Sequence, residues 1–378
     1  MNTFKLMRII SSGDKDWKDI PTDAQKKYLY HFPEPENDIQ RSYYQYKCQN
    51  LFRNRIKIFV INAFCLIAFL PILFVLLTKK VGKERKRIEI IGEFKGLEDL
   101  IVDEIDKSKL NNDVWMESEC LSTSDLPLIF YLVLTYPLAP YFWMKCMLKI
   151  SGYNYMITTY KPSVIFVHGE YTFTSSILTY YCEKKGVKHV NAMHGEKLFY
   201  IGYSFFHYHK CYIWDEYYEK LLLELRAEKN QFLISVPPSL KINLISNYDK
   251  LCYSKYKYYL QIFNEDELKE ILTSLKFIKN WDKNLRFRPH PRFSNLTLLR
   301  KYVTENLIEM PNNVSISKSI TNCEVAIGAF STVLYQSYLC RKIVVLDDVA
   351  FEKTYIQLKS HKYILSNKKE IKTLSQFQ

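Results

Sequence analysis

The chain has 378 residues, of which 48% are hydrophobic and 25% charged. This excludes a wholly disordered or collagen-like polypeptide, and ~100–200 residues per domain predicts two domains. Fifty-three Lys and Arg against 40 Asp and Glu leave a net charge of +13, which favours anionic partners such as phosphates or an acidic membrane face.

The N-terminus, MNTFKLMRIISSGDKDW, has no apolar core and no small-residue cleavage site, so it does not read as a secretory signal. Residues 1–57 are polar and aromatic, without a clear period. The 30 Tyr and 23 Phe of the chain suit stacking on sugars or bases; codon bias in an A/T-rich genome is the alternative source. Nine scattered Cys form no Cys-x-x-Cys pair, which excludes zinc fingers and points to reduced thiols in a cytoplasmic compartment.

Ile58–Thr78 is an uncharged run of 21 residues, interrupted only by Asn62 and Pro71. As a helix it would measure roughly 31 Å, the hydrocarbon thickness of a bilayer. Arg53, Arg55 and Lys57 precede it; Lys79, Lys80, Lys83, Arg85, Lys86 and Arg87 follow it. The heavier basic flank predicts a membrane anchor with its C-terminal side in the cytoplasm; the alternatives are a buried helix or one lying on the membrane. A second apolar run, Leu126–Met144, holds Pro127, Pro137 and Pro140. It predicts an interfacial segment or a core helix broken near Tyr136, because each proline removes a backbone donor.

From Arg87 the pattern becomes α/β. Strands are expected at Ile88–Ile91, Val164–Val167, Val187–Ala192 and Tyr212–Trp214, and helices at Leu97–Ile105, Ser175–Lys185 and Glu216–Lys229. Pro237-Pro238 then breaks the pattern and marks a linker. The alternation restarts with strands at Tyr258–Phe263, Leu285–Arg288, Val314–Ile316, Val325–Ile327 and Ile343–Leu346, and helices at Glu265–Leu275 and Thr332–Leu339. The expected organisation is an N-terminal region (1–86) carrying the anchor candidate 58–78, a Rossmann-like acceptor domain (87–236) and a Rossmann-like donor domain (237–378). Two doubly wound α/β sheets of this kind bind ligands beyond the carboxyl ends of their strands, here in a cleft between the domains.

Two strand ends in the first half finish in His-Gly-Glu: His168-Gly169-Glu170 and His194-Gly195-Glu196. An imidazole held by a carboxylate is a competent general base near neutral pH, so His194, Glu170 and Glu196 are the catalytic candidates, with Glu196 expected either to orient His194 or to face solvent. In the second half, Arg286-Phe287-Arg288-Pro289-His290-Pro291-Arg292 follows a strand directly. The flanking prolines fix the backbone around His290, and arginine forks such as Arg288 suit phosphate. Gly328, Ser331 and Thr332 lie between a strand and a helix, whose free N–H groups and hydroxyls suit a phosphate or diphosphate. No metal-ligand cluster or Asp-x-Asp pair stands at an expected strand end, so no cofactor and no metal are expected. Without a helix-turn-helix or RNP-like signature, nucleic acid is not an expected partner.

Arg288-Pro289-His290-Pro291 together with Ser331-Thr332 resembles the HP and Ser/Thr motifs of bacterial sialyl- and polysialyltransferases and of teichoic-acid glycerophosphotransferases. The layout from about residue 88 to about 365 looks like the GT-B class of nucleotide-sugar enzymes. The resemblance implies that His290, Ser331 and Thr332 hold the nucleotide phosphate. Met193-His194-Gly195 resembles the strand-end His-Gly of the teichoic-acid enzymes, which implies His194 as the base; the sialyltransferases carry an acidic pair before Gly there. The first half is also similar to UDP-N-acetylglucosamine 2-epimerases, with His168-Gly169-Glu170 for their His-Gly-Asp. Asn191 stands where they place a second carboxylate, which argues against elimination and re-addition.

The expected function is therefore a metal-independent glycosyltransferase at the cytoplasmic face of a bacterial inner membrane. It would pass a sugar, sialic acid or a similar one, from a nucleotide donor to a capsule, O-antigen or lipid-linked glycan. The alternatives are a nucleotide-sugar 2-epimerase and a non-catalytic membrane-anchored assembly protein.

Overall fold

The computed structural model describes residues 14–79, 85–93, 97–101, 105–242 and 253–377. The extreme N-terminus, Lys80 and Lys83 of the basic flank, residues 102–104 and Cys252 lie outside the described residues. The chain forms two compact units, one of residues 1–194 with 199–237, the other of 195–198 with 238–378.

In the first unit, the strands are β1 (Ile90–Gly92), β2 (Leu110–Asn111), β3 (Val164–Val167), β4 (Lys188–Ala192), β5 (Lys210–Ile213) and β6 (Phe232–Ile234). They form one parallel sheet in the order β2-β1-β3-β4-β5-β6. The second unit contains β7 (Ser254–Tyr259), β8 (Leu285–Arg288), β9 (Cys323–Gly328), β10 (Ile343–Leu346) and β11 (Lys372–Thr373). Its sheet is also parallel, in the order β11-β10-β9-β7-β8. The two orders are the same winding. The first strand of each unit takes its second strand on one side and its third on the other. The winding thus reverses between β1 and β3, and again between β7 and β9, and ligands of doubly wound sheets bind beyond the strand ends at such a point.

Parallel strands are covered on both faces, so they read as continuous apolar runs. Val164–Val167 and Ile343–Leu346 do so and form where their composition predicts. The crossover helix Ser175–Lys184 joins β3 to β4 and ends before Gly186, whose φ of +71° only glycine adopts without strain. The second core gathers Tyr258, Phe287, Val325, Ile327 and Val345 under Leu268 and Ile271 of the helix Glu265–Ser274.

The described residues 14–79 are mostly helical. Asn37 caps the helix Asp38–Asn50 by accepting from the Gln40 N–H at 2.9 Å. This helix packs on Ser175–Lys184. Its Tyr43 stacks on Tyr136 at 4.0 Å between ring centroids, and its Tyr46 meets Phe142 and Phe173. These aromatic side chains are internal packing rather than a stacking surface for sugars. The helix Arg55–Thr78 follows, then Leu126–Thr135 and Pro140–Tyr160, with the break at Tyr136.

Four elements differ from expectation. Only a single helical turn, Leu97–Asp99, forms among the described residues of 97–105. Val314–Ile316 is not a strand, because Ser315 caps a helix at Ile316–Thr321 by accepting from the Lys318 N–H. The helix after β5 stops at Glu224. The strand expected at Tyr258–Phe263 lies earlier, at β7, because two polar side chains, Ser254 and Lys257, are buried in it.

Candidate functional site

At the reversal point of the first sheet, β1 ends in Gly92 and passes to Glu93, while β3 passes to His168. Glu93 Oε2 accepts from the His168 backbone N–H at 3.1 Å and lies 2.9 Å from His168 Nδ1. Burial pushes the Glu93 carboxyl up. The His168 backbone N–H and ring and the nearby Lys149 charge outweigh this and hold the group below its ordinary value. A carboxylate on Nδ1 fixes the ring and leaves Nε2 with the lone pair in the neutral imidazole. His194, one strand further on, is exposed, and its ring lies edge-on to that of His168 with centroids 5.4 Å apart.

The other carboxylates of the two His-Gly-Glu motifs are placed differently from expectation. Glu170 is buried, and its Oε1 accepts from Asn191 Nδ2 at 3.1 Å. Asn191 Oδ1 in turn accepts from the Gly169 N–H at 2.7 Å. Asn191 therefore braces the turn after β3, and the Gln45 amide supports it from behind by donating to the Glu170 carbonyl at 2.8 Å. Glu196 does not face solvent, the other place expected for it. It belongs to the second unit, where its buried carboxylate lies beside Tyr363, whose hydroxyl also meets the Ser331 backbone.

Burial pushes the Glu196 carboxyl up to about 8. An unfolded glutamate ionises near 4.5, so between about 4.5 and 8 the folded protein holds a proton that the unfolded chain releases. Its contribution to stability is full below the lower value and lost as pH rises towards the higher. Thermal unfolding of the second unit should fall progressively between those values, and Glu196→Gln should flatten that fall; an unchanged profile would place the proton elsewhere.

In the second unit the reversal point lies at the ends of β7 and β9. A Cβ on Gly328 would come to 3.0 Å from the Tyr259 carbonyl, so a side chain at this strand end would press on the backbone at the end of β7. Ser331 caps the helix Thr332–Leu339, its Oγ accepting from the Val333 N–H at 3.2 Å, and Thr332 is exposed. The first N–H groups of such a helix favour an anion.

β8 lies next to β7 and leads into His290. The His290 backbone N–H donates to Ser294 Oγ at 2.8 Å, and the ring stacks on Phe293 at 4.5 Å. His290 Nδ1 accepts from the Arg292 N–H at 3.1 Å. The neutral ring therefore carries its proton on Nε2 and can donate it outward. Burial, then the Arg292 charge, holds His290 below the usual imidazole range, which favours that neutral donor at pH 7.

Arg288 corrects the expectation of a phosphate fork. It is buried, with Nη1 donating to Glu309 Oε1 at 2.8 Å and Nη2 to the Val314 carbonyl at 2.8 Å. Lys257 of β7, fully buried, pairs with the other oxygen of Glu309. Burial pushes Glu309 up, but Lys257 and its other partners hold it below the ordinary carboxylate range. This triad ties β7 to β8 just before the chain turns out to His290. Asp347, after β10, is likewise internal: its Oδ1 accepts from the Val349 and Ala350 N–H groups, and its other oxygen meets the Tyr258 hydroxyl.

Sequence reasoning missed Glu93 and passed over His168. Among the described residues, no group of three or more His, Cys, Asp or Glu is arranged to hold a metal ion.

No known protein family matches the chain, and no curated protein does. Solved structures with some similarity include the UDP-GlcNAc 2-epimerase of Methanocaldococcus jannaschii, determined with UDP-GlcNAc and UDP. It has 15% identity and a TM-score of 0.40, over 76% of this chain and 94% of that one. The wall teichoic acid polymerase TagF has 10% identity and a TM-score of 0.37, over 81% and 82%. A UDP-N-acetylglucosamine 2-epimerase described as putative, from Listeria monocytogenes, has 10% identity and a TM-score of 0.41, over 69% and 79%. The strand order of the two sheets, rather than these likenesses, defines the fold.

Proposed function

We propose that this protein is a metal-independent glycosyltransferase that moves a sugar from a nucleotide donor to a hydroxyl of a cell-surface glycan. The observation that carries this reading is the opposite hydrogen bonding of two imidazoles. His290 Nδ1 accepts a backbone N–H, which turns Nε2 into a donor for a phosphate oxygen. His168 Nδ1 faces a carboxylate, which leaves Nε2 of the neutral ring as a hydrogen-bond acceptor for an alcohol. One unit thus suits an anionic leaving group and the other an acceptor alcohol.

In this mechanism the second unit binds the donor diphosphate or phosphate through His290, Ser331, Thr332 and the N–H groups opening the helix Thr332–Leu339. Gly328 keeps the strand end clear. As the glycosidic bond to phosphate breaks, these donors stabilise the departing charge. The acceptor hydroxyl attacks the anomeric carbon and gives its proton to His194, the exposed ring. His168, held by Glu93, is a positioning residue whose Nε2 accepts from a second, non-reacting hydroxyl of the acceptor. Asn191 in place of a second carboxylate favours transfer over epimerisation, which needs two groups to remove and return protons.

The test is nucleotide binding. A thermal-shift screen of CMP, UDP, GDP and CDP identifies the base. His290→Ala should then weaken the best nucleotide about 10- to 100-fold, the scale of a hydrogen bond to a charged group. Unchanged affinity in both His290→Ala and Ser331→Ala would remove the donor site from this location.

A further inference from the structure

The helix Arg55–Thr78 has two apolar faces, and only one is covered. Cys65, Phe69, Leu73 and Leu76 are buried along one stripe. Along the opposite side Phe59, Phe64, Ile67, Leu70 and Phe74 are between 68% and 79% exposed. A helix on the surface of a water-soluble protein carries polar side chains there. This stripe has none, and it runs for about 24 Å at the α-helical rise. Leu134 and Leu138, at the end of the helix Leu126–Thr135 and in the turn after it, are also exposed, at 79% and 94%. Both helices pack on Pro140–Tyr160.

The covered face is fastened to the first unit from end to end. Near the start, Asn62 Oδ1 accepts from the Tyr141 N–H at 2.9 Å. In the middle, Phe69 meets the edge of Trp143 at 4.6 Å. Near the end, the Leu76 carbonyl accepts from the Leu121 N–H at 3.0 Å. A helix tied at both ends and in the middle to a folded α/β unit cannot cross the hydrocarbon layer unless that unit enters it too. Arg53 and Arg55 stand at one end and Lys79 at the other, Lys57 being paired with Asp14, so the stripe is bracketed by positive charge. Apolar area between basic ends is complementary to an anionic leaflet, in which headgroups meet the cations and acyl chains meet the stripe.

We propose that this face is a monotopic membrane-binding surface: the helix Arg55–Thr78 lies in the plane of one anionic leaflet, with its exposed stripe among the acyl chains, and does not span. The body of the first unit takes the place of the polar face that an isolated in-plane helix would need. This inference is independent of the donor chemistry proposed above.

Purified full-length protein should float with phosphatidylcholine vesicles containing phosphatidylglycerol, and less with phosphatidylcholine alone. The triple variant F64S/I67S/L70S should lower the bound fraction at least about tenfold, with its thermal unfolding and nucleotide binding unchanged because these side chains touch solvent. Sidedness follows from R55C and K79C, each in a Cys252→Ser/Cys340→Ser background, labelled with an impermeant maleimide in membranes of expressing cells. In-plane binding predicts that both label in inverted vesicles and neither in intact spheroplasts. Labelling from opposite sides would show a spanning helix and overturn the proposal. So would a wild type that binds neither vesicle but forms a dimer that the triple variant dissolves, because the stripe would then pair with a second copy.

Discussion

His194→Ala should lower turnover about 10²–10⁴-fold, the loss that follows removal of a general base. Nucleotide affinity should change less than about twofold, because the proposed donor ligands belong to the other unit. The neighbours of His194 should behave differently. Glu93→Gln and His168→Ala remove a positioning pair, so they should raise KM for the acceptor more than they lower kcat. The pH profile separates the roles further. The activity limb assigned to the base should vanish in His194→Ala and persist in Glu93→Gln. If His194→Ala keeps near-normal turnover while His168→Ala loses it, the base is the Glu93–His168 pair and His194 is the positioning group. If Glu170→Gln alone is inactive, the turn after β3 carries the chemistry and not merely the support.

The second large effect is on stability. Glu309→Leu should destabilise the second unit by about 3–5 kcal/mol, because Lys257 and Arg288 would remain buried without a counter-charge. In urea, the midpoint of that unit's transition should fall with little change in slope. The variant Lys257→Met/Arg288→Met/Glu309→Leu removes all three charges and should recover much of the loss. Glu309 is held below its ordinary value, so its contribution is present above the unfolded carboxylate range and disappears as pH falls through the folded value. Acid should therefore weaken the wild type more than the uncharged triple variant. Equal sensitivity would mean that the triad is not the group that titrates.

Legibility in the sequence followed the physics of each element. β3, β8 and β10 occur at the residues expected, and the helix Thr332–Leu339 has the expected limits. Buried parallel strands make short apolar runs, and a Ser-Thr start marks a helix cap. β7 was misplaced because SKYKYY looks solvated until Glu309, 52 residues later, arrives to pair with Lys257. Glu93 had no signal at all. It follows a three-residue strand, and its partner becomes visible only when the sheet order sets β1 beside β3. The arginines around His290 were legible as residues but not as directions. Nothing local distinguishes Arg288, turned into the triad, from an arginine turned outward. Glu196 failed for the same reason, since the three residues after His194-Gly195 fold with the other half of the chain.

Glycosyl transfer is tested by following the sugar itself. The nucleotide identified by binding is supplied as its sugar conjugate, labelled in the sugar, with and without membrane glycan as acceptor. Transfer predicts label in the glycan and free nucleotide in step with it, both dependent on acceptor and both lost in His194→Ala. Conversion of the donor to its 2-epimer without acceptor, with no label in the glycan, would contradict it.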